Sequence, residues 1–118
     1  MDSLKEKVLV NEIEGFDVFF TPLVEFETIE GSFPNDTPKQ LEDLVERVEY
    51  GDAVWFCAKV HVEKAGIELG SDYLGCCYYD SFEDFYMKYR HDYFADMAKS
   101  AINQAKEKIE ELVYSKLC

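Results

Sequence analysis

The sequence predicts an α+β domain: a small antiparallel sheet of three or four strands, with helices near 38–49, 82–90 and 93–114 packed on one face. Three observations carry that expectation. Ala53 to Val62 alternates with a period of two, setting Val54, Phe56, Ala58, Val60 and Val62 on one side and Trp55, Cys57, Lys59 and His61 on the other. From Phe94 to Val113, apolar residues recur at the helical period for about five turns. The chain has 118 residues, 47% hydrophobic and 15% aromatic, which makes one globular domain (1–118) with enough apolar mass for a core.

Residues 1–15 alternate weakly and end at Gly15, so they read as a short helix or a strand. Phe16 to Phe20 is aromatic and β-branched and reads as a strand that stops at Thr21-Pro22. Residues 21–37 hold Pro22, Gly31, Pro34 and Asn35-Asp36 and read as an irregular or edge segment. Thr37 before Pro38 opens a helix, with a hydroxyl cap followed by proline in the first turn. Leu41, Leu44, Val45 and Val48 line its buried face, and Gly51 ends it. After the Ala53–Val62 strand, Lys64-Ala65-Gly66 is a turn, and residues 67–79 form strand material interrupted at Gly70-Ser71. A hairpin symmetric about Gly66-Ile67 sets Cys57 opposite Cys76, a pairing that a one-residue slip removes. Ser81 caps a helix whose face carries Phe82, Phe85, Tyr86 and Tyr89. On the outside of the last helix, Lys106 faces Glu110 at i,i+4. The chain thus divides into an acidic half, 1–52, and a hairpin with two helices, 53–118.

The charge is uneven. Residues 1–52 hold 14 of the 25 acids against four bases, a net of −10, and residues 53–118 hold 11 acids against eight bases. No cation falls between Lys7 and Lys39. Such a field repels nucleic acid and anionic membrane and speeds capture by a basic surface. No stretch has the length of a transmembrane helix or the form of a secretion signal, so the expectation is a cytoplasmic protein with reduced thiols.

Enzymatic motifs are sparse. His61 and His91 are the only histidines, Cys76 and Cys77 are adjacent and point to opposite faces of a strand, and no CxxC or HxxxH occurs, so no metal and no cofactor is expected. No glycine pattern fits a phosphate loop. Lys88, Arg90 and His91 with Tyr86, Tyr89 and Tyr93 form the one basic, aromatic patch, and the helical spacing of the tyrosines assigns them to a core face. An enzyme or ligand-binding domain built on Cys57, His61 and the tyrosines is the alternative class, and a homodimer through the C-terminal helix is a third.

The carboxylates are the candidate partner-binding residues: Glu25, Glu27, Glu30, Asp36, Glu42, Asp43, Glu46 and Glu49. On a helix, acids three or four residues apart stand about 5–6 Å apart along the axis, close to the charge spacing along one strand of a duplex. A face of this kind fits a Lys/Arg groove built for nucleic acid, with exposed Tyr or Phe as apolar anchors.

The segments VWFCAKV (54–60), AGIELG (65–70), DYLGCCY (72–78) and SFEDF (81–85) resemble a family of small proteins of phages and other mobile elements, over about residues 53–114. The acidic, compact build is similar to that of phage anti-defence proteins, the anti-CRISPR inhibitors among them. That likeness implies a partner such as a CRISPR effector or a restriction enzyme and transfers no site residues; with the carboxylate pattern, the expected function is a non-enzymatic inhibitor that covers a nucleic-acid-binding surface of a host defence complex by imitating phosphates.

Overall fold

The computed structural model describes residues 2–88 and 93–117. Four strands, β1 (Val8–Ile13), β2 (Phe16–Leu23), β3 (Val54–Lys64) and β4 (Ile67–Tyr79), form one antiparallel sheet in the order β1-β2-β3-β4. A short helix α1 (Ile29–Ser32) and the helix α2 (Pro38–Glu49) lie between β2 and β3. A π-helical turn (Asp84–Lys88) and the long helix α3 (Tyr93–Leu117) follow β4. The α+β class and the antiparallel sheet are as the sequence predicts.

Tight turns set the sheet's register. Ile13 pairs with Phe16 and Lys64 with Ile67, leaving two-residue loops at Glu14-Gly15 and Ala65-Gly66. All four loop residues have φ between 53° and 83°. Two left-handed residues in succession make the turn whose twist matches the flanking strands.

The inner face carries Val18, Phe20, Phe56, Ala58, Val60 and Val62, each no more than 1% exposed. The predicted core face of β3 is therefore the observed one. Helix α3 lays Phe94, Met97, Ala98, Ala101, Ile102 and Ala105 against it. The Ser81 hydroxyl accepts the Asp84 N–H at 3.3 Å, and the π-helical turn that follows inserts Phe85 5.4 Å from Phe20. Gly70 does not interrupt β4. A Cβ there would lie 2.0 Å from the Ala101 carbonyl oxygen, so glycine is what lets α3 close on the sheet.

Other expectations are corrected. Strand β2 does not stop at Thr21-Pro22 but runs through to Leu23, pairing Pro22 with Ala58. On the opposite side, the Pro22 carbonyl accepts the Leu4 N–H at 2.8 Å. The nitrogen that lacks a proton faces that same side, beyond the end of the β1–β2 ladder, where residues 2–4 pair with the strand through the Pro22 carbonyl and the Val24 N–H instead. Lys106 pairs with Glu14 at 3.0 Å across the molecule rather than with Glu110. The helices are also distributed over both faces. Helix α3 covers the inner face, while the 25–50 segment reaches the outer one. There, Trp55 Nε1 donates to the Glu27 carbonyl at 3.0 Å, and Phe33 meets the rings of Trp55 and Tyr78. Elongation follows from an 11-residue and a 13-residue strand under a 25-residue helix. The longest extent is 61 Å, and the radius of gyration is 16.9 Å against about 13.5 Å for a compact chain of this length.

Candidate partner-binding surface

Helix α2 is built for exposure. Its opening is a complete capping box: Thr37 Oγ1 accepts the Gln40 N–H at 3.2 Å, and Gln40 Oε1 accepts the Thr37 N–H at 2.7 Å. Leu41, Leu44, Val45 and Val48 are half-buried, and no residue of the helix is fully buried. The Tyr78 hydroxyl donates to the Leu44 carbonyl at 2.7 Å. Arg47 reaches Asp80 at 2.6 Å and the Asp52 carbonyl at 3.2 Å, which ties the end of the helix to the end of β4.

Opposite the apolar stripe stand Glu42, Asp43, Glu46 and Glu49, all exposed. At about 100° per residue, Glu42, Glu46 and Glu49 share one narrow line, with Asp43 beside it. Among the described residues, the ion pairs join Lys7 to Glu63, Arg47 to Asp80, Lys59 to Glu68, His61 to Glu63 and Glu68, and Lys106 to Glu14. None of them uses an α2 carboxylate. Glu27 and Glu30 are likewise exposed and outside these pairs, and Asp36 is half-buried. Two aromatic rings stand beside these acids: Phe26 is 76% exposed and Tyr50 is 80% exposed.

Glu25 has a different role. Its carboxylate accepts the Glu27 N–H at 3.0 Å and the Cys76 N–H at 2.5 Å, where β4 bulges and Cys76 takes φ 57°. Nor do the acids of residues 1–52 form one surface. Asp17 pairs in register with Glu63 near the β1–β2 and β3–β4 turns, and Glu12 and Glu14 belong to that end of the sheet. Leu23 pairs with Cys57 toward the other end, where Glu25 to Glu49 lie. A strand of eight residues separates the two groups by about 25 Å. No family model matches the chain, and no curated protein and no solved structure matches it either.

The residues of the alternative reading are not brought together. Cys57 and His61 are four residues apart on β3, about 13 Å along the strand. Burial, with Glu25 nearby, pushes the Cys57 thiol up, away from a reactive thiolate. His61 Nε2 lies 2.7 Å from Glu63 Oε2, its ring stacks on Phe19, and Nδ1 is buried without a hydrogen-bond partner. Lys7 Nζ sits 2.7 Å from the same Glu63 oxygen. Lys7 and then His61 hold the Glu63 carboxyl below the usual range. Cys57, Cys76 and Cys77 are free thiols, and Cys57 faces the Gly75-Cys76 bulge. Among the described residues, no group of His, Cys, Asp and Glu is arranged to hold a metal. Of the basic and aromatic patch, Tyr89, Arg90 and His91 lie outside the described residues, as does Cys118.

Phe26 and Tyr50 were not legible as surface anchors. Phe26 sits between two glutamates with no periodicity around it, and Tyr50 falls two residues beyond the α2 stripe. That offset from the stripe is the one sequence signal for Tyr50.

Proposed function

We propose that this chain is a non-enzymatic inhibitor of the anti-restriction or anti-CRISPR type, which covers a basic, nucleic-acid-binding surface of a host defence complex. The observation that carries this reading is the α2 face. Among the described residues, Glu42, Asp43, Glu46 and Glu49 are exposed and free of ion pairs, and the exposed ring of Tyr50 follows them directly at the end of the helix. Carboxylates fixed on a capped helix take the place of phosphates at a Lys/Arg groove without paying to order a flexible segment. The ring adds apolar area at the patch, the usual composition of an energetic centre. Glu27, Glu30 and Asp36 extend the same end of the molecule. Glu25 is left out of the contact set because its oxygens already hold two backbone N–H groups.

The test is capture from a lysate of the natural host at low and high salt, after nuclease treatment. The wild-type chain retains a basic nucleic-acid-binding protein that salt releases. Replacing Glu42, Asp43 and Glu46 together by Lys lowers that retention more than tenfold while the thermal midpoint stays put. Equal retention by the triple variant rejects α2 as the contact.

A second reading rests on the far end of α3. Leu112 is 56% exposed and Val113 51% exposed on a helix that reaches past the sheet, a surface suited to a second copy. Sedimentation at two concentrations decides it, since a dimer dissociates on dilution.

A further inference from the structure

A sheet of four strands is about 14 Å wide, and one helix covers about 10 Å of it. Helix α3 lies over β4 and β3, so the β1 side of the inner face is left without a lid. The result is a cavity of about 730 Å³ between β1 and α3, within the size range of sites that take small organic ligands. Its apolar surface comes from Ile13, Phe94, Ala98 and Ile102, which are continuous with the core.

The polar groups at this cavity differ from the rest of the chain. Its charged residues are Glu14, Lys99 and Lys106, a net of +1 in a protein whose net charge is −13. Lys106 is neutralised by Glu14 at 3.0 Å. Lys99 has no ion pair among the described residues. Tyr86 also lines the cavity; it is only 9% exposed, and its hydroxyl has no hydrogen-bond partner among the described residues. Its hydroxyl therefore stands at the cavity wall free to donate to a bound acceptor. Asn11 and Asn103 add amide donors on the two opposing walls.

We infer that the β1/α3 cavity is a binding site for an amphiphilic monoanion of the long-chain carboxylate class. The alkyl chain lies along Ile13, Phe94, Ala98 and Ile102, and the carboxylate accepts from the Lys99 ammonium and the Tyr86 hydroxyl. The site involves no residue of α2 and stands or falls separately from the proposed inhibitory surface.

Calorimetric titration with laurate below its micelle concentration tests the site, with dodecyltrimethylammonium as the cationic control. Saturable binding of one laurate per chain, at least tenfold tighter than the cation, is the expected result. Lys99→Glu weakens laurate at least tenfold. Ala95→Trp, at an exposed lining position of α3, fills the mouth and removes binding with the melting temperature kept, and Asn103→Trp repeats the block if the first variant does not fold. No saturable binding by the wild type overturns the inference. So does laurate affinity unchanged in Lys99→Glu and in the folded tryptophan variant, or equal affinity for the cation.

Discussion

The carboxylate of Glu25 accepts the backbone N–H of Cys76 across 51 positions of sequence. Cys76 is held at φ 57° in the bulge of β4, where an L-residue is disfavoured. The carboxylate thus pays part of the cost of the bulge, and it joins the segment after β2 to the sheet's far edge. Glu25→Ala is expected to lower stability by about 1–2 kcal/mol in urea unfolding, and Glu25→Gln by less, because the amide oxygen still accepts. Equal losses for the two variants reject the hydrogen bond as the cause.

Gly70 gives a larger expected effect. With the Ala101 carbonyl 2.0 Å from the place of a Cβ, Gly70→Ala forces α3 off the sheet. The expected loss is about 1–3 kcal/mol in urea unfolding, and because Gly70 lies outside the left-handed region, that loss reports the clash rather than backbone strain.

Acid lability follows from Glu63. Its carboxyl titrates below the usual value because Lys7 and His61 hold the charged form. The stabilisation is fully present above the ordinary glutamate range and is lost as pH falls through the lowered value. Glu63→Gln is expected to be less stable than the wild type by about 1–2 kcal/mol at neutral pH, allowing for screening at the half-exposed Lys7. The gap should close in denaturant titrations as pH falls below the ordinary glutamate range and through the lowered Glu63 value. A gap that is constant with pH assigns the loss to packing.

The thiols should separate by rate. Burial pushes Cys77 up to about 12 and raises Cys57 as well, while Cys76 is exposed. Peptide mapping after iodoacetamide at neutral pH is expected to find Cys76 carbamidomethylated well before Cys57 and Cys77, which react only after unfolding. Fast labelling of Cys57 in the native protein would restore the case for a reactive cysteine there.

What the sequence discloses depends on how local the cause is. Helix α2 is legible to the residue because its cap, proline and stripe lie within fifteen positions. The core face of β3 is legible because alternation is a property of the strand itself. Pro22, Gly70 and Cys76 misread because each is explained by a distant partner: Leu4, Ala101 and Glu25. The candidate surface divides in the same way. The α2 acids keep their predicted face, whereas the apparent acidic half splits because β2 carries its ends to opposite poles of the sheet.

The strand order has a kinetic consequence. Each strand pairs with the one made just before it, and two turns of two residues close the outer hairpins. Only the β2–β3 step spans a long intervening segment, and it is the one that carries α1 and α2. Loop closure there is the costly event. Ribosomal emergence therefore presents the first hairpin early, and the sheet waits on the second until α3 arrives to shield the valines and phenylalanines between them.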